Sequence, residues 1–180
     1  MEQVGVRARY AALTLALLGM FFVSGFSALL YQVVWQRMLG LFSGSDVRSI
    51  TIVAAAYLLG LGVGSLLGSL LADRLSSRRA VQIYGLCNLG IAAFAFFSPA
   101  LFYDGFYQQL LPLSASPPMM TAVVFGGLLL PTTLMGLSLP LVSRALVRRL
   151  EGAAGLISWL YGVNTLGAGL GTLYAGWELI

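Results

Sequence analysis

Five apolar stretches without a charged residue restrict what this chain can fold into. They occupy residues 10–30, 49–72, 80–101, 119–142 and 156–177. Each is long enough to cross the hydrocarbon core of a bilayer, which takes about 20 residues of α-helix. The chain also has too little charge for a soluble protein, because only 9% of its 180 residues are charged, against about 25% in soluble domains. The sequence therefore predicts an all-α, polytopic membrane protein with about five transmembrane helices in one domain, residues 1–180.

The arginines predict the orientation of these helices. If the N-terminus is cytoplasmic, eight of the ten arginines lie on the cytoplasmic side: Arg7, Arg9, Arg74, Arg78, Arg79, Arg144, Arg148 and Arg149. Only Arg37 and Arg48 lie on the outer side. Membrane proteins carry an excess of basic residues on the cytoplasmic side. This distribution predicts a cytoplasmic N-terminus and places residue 180 on the outer side.

The side-chain inventory excludes several kinds of chemistry. The chain has no histidine, no lysine and one cysteine, Cys87. Structural and catalytic zinc sites draw on several His and Cys ligands, and Schiff-base and P-loop chemistry require lysine. We therefore expect no catalytic residue, no metal site and no cofactor. The net charge of +4 does not indicate a nucleic-acid partner, because the arginines form short clusters between apolar stretches, where they act as topology signals.

Residues 30–41 admit two interpretations. Leu30, Val33, Val34, Met38 and Leu41 recur at helical spacing, which predicts an amphipathic segment lying at the outer interface. Alternatively, the first helix continues straight and tilted through these residues. Aromatic and long basic side chains prefer the headgroup level of the bilayer. On that ground the sequence predicts four interfacial anchors: Trp35, Arg37, Tyr103 and Trp177.

Glycines recur every four residues in two of the predicted helices. Gly60, Gly64 and Gly68 share one face of the second helix, and Gly167 and Gly171 share one face of the fifth. Small residues let helix backbones approach closely in lipid. The rows predict tight packing within this chain, or alternatively a seam for helices of another protein or a sliding surface in a transporter.

The short connection after the second stretch carries Asp73, Arg74 and Arg78. An acidic residue at a helix C-terminus is poorly placed against the helix dipole, so Asp73 is expected to have a cationic partner such as Arg144. The connection is then either a latch between helices or a solvent-exposed loop whose arginines only set the orientation of the helices in the membrane.

Polar residues also occur inside the apolar stretches. Asn164 needs hydrogen-bond partners in lipid, and Thr132, Thr133 and Ser138 are the predicted ones, with contact to a solute as the alternative. Pro131 and Pro140 bracket these threonines, which predicts a kink or a binding niche in the fourth helix.

Four segments resemble a known family. Residues 68–78 read G-S-L-L-A-D-R-L-S-S-R, which is similar to the loop signature of the major facilitator superfamily (MFS), although Ser69 and Ser76 replace its glycines. Residues 24–37, 130–141 and 161–168 read S-G-F-S-A-L-L-Y-Q-V-V-W-Q-R, L-P-T-T-L-M-G-L-S-L-P-L and Y-G-V-N-T-L-G-A. Together they resemble the membrane region of bacterial fused MFS/spermidine-synthase-like proteins. The resemblance implies a half-MFS-like bundle in the bacterial inner membrane.

The same resemblance limits the expected activity. Members of that family usually continue into an aminopropyltransferase domain with a glycine-rich nucleoside site, and these 180 residues contain no such site. We therefore expect a non-catalytic structural or accessory subunit, whose partners are membrane lipids and other transmembrane proteins. The alternatives are a half-transporter, working as a homodimer on a polyamine or another small solute, and the membrane anchor of a separate spermidine-synthase-like enzyme.

Overall fold

The computed structural model describes residues 2–44, 47–147 and 153–179, with side chains from residue 11 onward. The α-helices in these ranges are α1 Glu2–Ser43, α2 Val47–Arg74, α3 Ser77–Ala100, α4 Pro117–Gly136, α5 Ser138–Leu146 and α6 Ala153–Glu178. A π-helical segment, Leu101–Gln109, and a 3-10 turn, Leu111–Ala115, join α3 to α4. The predicted all-α class is confirmed. Arg148 and Arg149, two of the predicted cytoplasmic arginines, lie outside the described residues.

Four segments of the described chain are long and apolar enough to span a membrane. They are Ala11–Ser43, Val47–Arg74, Ser77–Gln109 and Pro117–Leu146. The fifth predicted span, α6, has 26 residues, which reach about 39 Å at 1.5 Å per residue. It is not among the four segments. A helical membrane protein is therefore confirmed, with a fifth helix that has the length of a span.

The first helix runs unbroken through the segment for which two interpretations were open. α1 continues to Ser43, so residues 30–41 extend it and do not form a separate interfacial segment. Leu39 and Phe42 at this end are buried. Phe42 packs against Phe106 of the π-helical segment, with ring centroids 5.9 Å apart. One side of the end of α1 is therefore covered by protein, while Arg37 and Leu41 on its other side are exposed.

The predicted role of Trp35 as an interfacial anchor is wrong. Its side chain is 1% exposed, and its indole N–H donates a hydrogen bond to the Ser98 hydroxyl at 3.0 Å. The reason is that α3 and the π-helical segment pack over this part of α1, with Phe94 and Phe102 edge-on to the indole. The other predicted anchors, Arg37, Tyr103 and Trp177, are exposed, Trp177 to 87%.

The fourth span is broken between its two prolines. α4 ends at Gly136 and α5 begins at Ser138. Pro140 has no N–H to donate to the carbonyl of Gly136, four residues earlier, so the helical hydrogen-bond ladder cannot pass this point. Pro131 lies inside α4 and does not end it. The kink predicted from the prolines is therefore at Leu137.

The Gly60, Gly64 and Gly68 row forms a seam between α2 and α4–α5. Gly60 faces the Thr132 side chain, and Gly64 faces the Thr133 carbonyl and the Cα of Gly136. Gly68 faces Leu137 at the start of the break. A side chain at Gly64 would overlap the backbone of α4, so this close approach requires glycine.

The second glycine row forms an equivalent seam between α6 and α1. Gly167 and Gly171 lie against the backbone of Phe22 and Phe26, with no room for a side chain at either glycine. α3 completes the bundle by packing against α4 and α5. Both predicted rows are thus used inside the chain, and neither is left free for a helix of another protein.

A candidate solute-binding cavity between the helix pairs

A cavity of about 280 Å³ lies between the two glycine-lined helix pairs. We call it the central cavity. Its wall is formed by α1, α2, the break between α4 and α5, and α6. Its polar lining residues are Ser24, Tyr57, Ser65, Ser138, Tyr161 and Asn164, and its large apolar ones are Phe21, Leu29, Leu61, Met135 and Leu139. The volume is close to the lower end of the range for small-molecule sites.

Ser138 contributes a hydroxyl that has no hydrogen-bond partner among the described residues. Its side chain is only 4% exposed and lines the central cavity at the first residue of α5. Beside it, the Gly136 carbonyl has lost its helical donor because residue 140 is proline. The helix break therefore brings a free hydroxyl and a backbone acceptor to the same wall. Buried polar groups normally have a partner, whereas this hydroxyl is left available for a hydrogen bond inside the cavity.

Tyr57 forms a fixed part of the wall. Its hydroxyl donates to the Ala28 carbonyl of α1 at 2.9 Å and lies 3.3 Å from the sulfur of Met135. The ring is buried, and the hydrogen bond ties α2 to α1 across the bundle. Tyr57 therefore shapes the cavity, and Met135 is held beside its hydroxyl.

Asn164 faces α1 and the central cavity, which it lines together with Ser138 but not with the other two predicted partners, Thr132 and Thr133. Its side-chain and backbone oxygens lie against Gly25, which has no room for a side chain there. The Thr132 hydroxyl donates instead to the Leu128 carbonyl of its own helix at 2.6 Å, and Thr133 contributes backbone to the α2–α4 seam. The predicted contact with the threonines fails because α6 pairs with α1, which keeps it away from α4.

A second recess of about 460 Å³ opens between α1 and α3. Ser24 and Met135 line both this recess and the central cavity. Tyr84 reaches into it from α3, where its buried hydroxyl lies near Ser24 and Asn88 without a well-formed hydrogen bond to a described residue. The Asn88 amide donates to the Tyr84 carbonyl at 2.9 Å. The polar lining of the bundle interior thus continues through α1 to α3.

The chemistry of the central cavity is limited to hydrogen bonding and apolar contact. None of its lining residues is charged, and the described residues contain no group of three His, Cys, Asp or Glu side chains that could hold a metal ion. Hydroxyl and amide groups can bind and orient a neutral polar molecule. They offer no counter-charge to an ammonium group, whose transfer from water into such a site would be costly.

The loop after α2 is joined to α5 by backbone contacts. The Arg144 side chain donates from Nε to the Leu75 carbonyl at 2.8 Å, and the Ser77 hydroxyl donates to the Arg144 carbonyl at 3.4 Å. The proposed partner Asp73 is exposed and forms no ion pair with Arg144. Arg74 and Arg78 are exposed as well. Arg144 therefore joins the loop to α5 through a helix-end carbonyl and not through Asp73, because unpaired carbonyls at a helix C-terminus attract a cation.

Several cavity residues were not predicted as site residues from the sequence. Tyr57 and Ser65 stand on the second helix among apolar residues, and Tyr161 stands near the start of the fifth. Their shared polar character inside uncharged stretches is the signal that could have identified them. In comparisons with protein-family models, curated proteins and solved structures, nothing matches this chain.

Proposed function

We propose that this chain is half of a membrane carrier and that its central cavity binds a small, uncharged, polar solute. The observation that carries the proposal is the unpartnered hydroxyl of Ser138 in a cavity lined by other hydroxyl groups and the amide of Asn164. Polar residues inside a membrane protein are costly and usually functional. Broken helices at membrane depth are a common way to build a solute site in transporters. The half-MFS resemblance of residues 24–37, 130–141 and 161–168 agrees with this proposal.

A polyamine is a poor candidate for the solute. Its ammonium groups would need carboxylates or several carbonyl groups inside the bundle, and the lining of the central cavity contains no acid. In this proposal the chain itself is non-catalytic and has no cofactor. Its location is the bacterial inner membrane, with the N-terminus and the loop of Arg74 and Arg78 in the cytoplasm, following the distribution of arginines.

Uptake into proteoliposomes tests the proposal. Purified protein is reconstituted, and the uptake of radiolabelled mannitol, glucose and thymidine is compared with that of spermidine. We expect uptake of at least one neutral solute above that of protein-free liposomes, and an at least tenfold loss in Ser138→Ala. Ser114→Ala, an exchange outside the cavity, is the matched control and should transport as the original protein does. Uptake of spermidine alone, or full activity of Ser138→Ala, contradicts the proposal.

A structural or accessory subunit is the second candidate. It is favoured by α6, which has the length of a span but is not among the four described segments that are apolar enough to cross a membrane. A helix of that kind is better covered by protein than exposed to lipid. The native mass of the complex, measured after gentle solubilisation, separates the candidates. A fixed ratio to a different, larger membrane protein favours the accessory subunit, and a homo-oligomer favours the half-carrier.

A further inference from the structure

The surface of α6 turned away from α1 carries an uninterrupted row of small residues. Gly155, Ser158, Gly162, Thr165, Gly169, Thr172 and Gly176 follow one another at alternating spacings of three and four. We call this row the α6 stripe. All are exposed except the half-buried Gly162, and nothing described lies within 4 Å of a Cβ placed at any of its four glycines. This spacing repeats every seven residues and forms a straight seam for another helix.

The α6 stripe is distinct from the lipid-facing side of the same helix. Trp159, Leu166, Leu170 and Leu173 project from another side and are strongly exposed, as lipid contact requires. The hydroxyls of Ser158 and Thr172 are bonded to carbonyls of their own helix, at 2.9 and 3.0 Å. The stripe therefore presents small residues, with the hydroxyls of Ser158 and Thr172 already hydrogen-bonded within α6. Such residues allow two helices to approach closely.

A second row with the same spacing lies on α2. Ala55, Leu58, Gly62, Ser65 and Ser69 alternate at three and four residues, and all of them are exposed. We call this row the α2 stripe. It lies on a different face of α2 from Gly60 and Gly64, which pack against α4. The chain thus carries two exposed seven-residue repeats, each on a helix whose other glycine row is already used in the fold.

The two stripes stand on either side of the central cavity. Ser65 belongs to the α2 stripe and also lines the cavity. Tyr161 lines the cavity from α6, next to Gly162 and one helical turn from Thr165. Because Ser65 and Tyr161 are both exposed, the mouth of the cavity lies between the stripes. Inside that mouth is the buried, unpartnered hydroxyl of Ser138. The cavity is therefore incomplete on the side where both stripes are free.

We propose that a second copy of this chain packs against both stripes and closes the central cavity, which the two chains then share. A two-fold axis along the membrane normal, passing through the mouth, brings the α2 stripe of one chain opposite the α6 stripe of its partner, and the reverse. Both copies keep the same orientation, as the arginine distribution requires. The shared cavity rests on the proposed function, whereas the pairing of the stripes does not.

The depth of each residue predicts which positions meet. α2 and α6 run in opposite directions, and Ser65 and Tyr161, which both line the cavity, are taken as the common reference depth. Ser69, four residues further along α2, is then within one residue, about 1.5 Å, of the depth of Ser158, three residues back on α6. By the same reasoning Gly62 is within one residue of the depth of Thr165. Each stripe residue of α2 thus has a stripe residue of the partner's α6 within about 1.5 Å of its own depth.

Disulfide crosslinking between two differently tagged copies tests the pairing. In a Cys87→Ala background, one copy carries Ser69→Cys and the other Ser158→Cys, and both are co-expressed and oxidised in membranes with copper phenanthroline. We expect a dimer that carries both tags. The control pair, Leu67→Cys with Trp159→Cys, has the same depth on lipid-facing positions and should give at least tenfold less product. Equal product from both pairs, or none from the stripe pair, overturns the proposal.

A glycine substitution provides a second, independent test. Gly169→Leu fills the α6 stripe without touching a described residue of its own chain, and Gly126→Leu makes the same change on an open face of α4. In nanodiscs, Gly169→Leu should lower the dimer fraction at least fivefold, and Gly126→Leu should leave it unchanged. A monomeric original protein, or a complex with a different chain in fixed ratio, contradicts the pairing. A dimer that takes up no neutral solute supports the pairing while contradicting the proposed function.

Discussion

At the scale of single residues, the position of a polar side chain along a helix did not reveal whether it has a partner. Thr132 and Ser138 are both buried hydroxyl residues in the same kinked span. Thr132 bonds to the carbonyl of Leu128, whereas Ser138 stands at the first residue of α5 and has no described partner. The difference follows from the Pro140 break, which interrupts the run of helical carbonyls next to Ser138.

Removing the Ser138 hydroxyl should separate stability from function. Ser138→Ala deletes a buried hydroxyl without a partner, so we expect unfolding free energy to stay the same or rise by about 1 kcal/mol, since a buried unsatisfied group costs about 1–3 kcal/mol. Uptake of the neutral solute should fall at the same time. Thermal unfolding in detergent and proteoliposome uptake measure the two effects. A loss of stability together with a loss of uptake would indicate a purely structural serine.

At the scale of helices, glycine spacing predicts which face packs closely but not which helix it meets. Gly60 and Gly64 meet α4, and Gly167 and Gly171 meet α1. Other glycines of the same helices, such as Gly62, Gly162 and Gly169, face open space. Both kinds recur at helical spacing in the sequence. Only the assembled bundle separates the glycines used within the chain from those left free.

A matched pair of alanine substitutions on α2 should show this difference. Gly64→Ala places a methyl group against the Thr133 carbonyl, so we expect it to destabilise the fold by about 1–3 kcal/mol, as overpacking does. Gly62→Ala meets nothing described within its own chain and should stabilise the single chain by roughly 0.5–1 kcal/mol, because glycine is a poor helix former. Thermal unfolding in one detergent compares the two. Equal effects would place Gly64 outside a tight seam.

The loop between α2 and α3 offers a second test at this scale. Arg144 holds the Leu75 carbonyl at 2.8 Å and does not pair with Asp73. Arg144→Ala should therefore raise hydrogen–deuterium exchange in the segment around Leu75 and Ser77, because the loop loses its link to α5. Asp73→Asn is the control and should leave the exchange unchanged. If Asp73→Asn loosens the loop as much as Arg144→Ala does, the arginine acts through the carboxylate after all.

At the scale of the whole molecule, two glycine-lined helix pairs enclose a cavity with no charged residue in its lining. Lipid tails are as apolar as the surfaces of the five helical segments, so apolar contact alone does not determine which helices pair. Close backbone contact at Gly64 and Gly167 supplies the dispersion energy that selects these pairs. The polar interior, from Asn164 through Ser24 to Tyr84, lies where the pairs separate.

The orientation of the whole bundle can be measured with single cysteines. In a Cys87→Ala background, Ser77→Cys should react with a membrane-impermeant maleimide only from the cytoplasmic side, and Gln108→Cys only from the outer side. The reason is the excess of arginines in the segments on the side of Ser77. Spheroplasts and inverted vesicles present the two sides separately. Labelling of Ser77→Cys in intact spheroplasts would require the opposite orientation.

The class of this protein and the position of its helices follow from the amino-acid sequence alone. The uncharged stretches at 49–72 and 156–177 lie inside α2 and α6. Pro140, one of the two prolines from which a kink was predicted, lies just after the break at Leu137. These features are local, because backbone hydrogen bonding in lipid forces each apolar stretch into a helix and proline interrupts it. The amphipathic pattern of residues 30–41 is weaker evidence for the location of this segment. A helix end that packs on aromatic rings has the same spacing of apolar residues as one that lies on a membrane.

Which residues meet depends on how the helices pack against one another. Trp35 is buried because α3 and the π-helical segment cover it, Asn164 faces Gly25 because α6 pairs with α1, and Arg144 reaches the Leu75 carbonyl because α5 ends beside α2. The central cavity exists only where four helices separate. Such contacts join residues that are far apart in the chain, and in lipid they depend on the shapes of facing helices, which no single stretch of sequence contains.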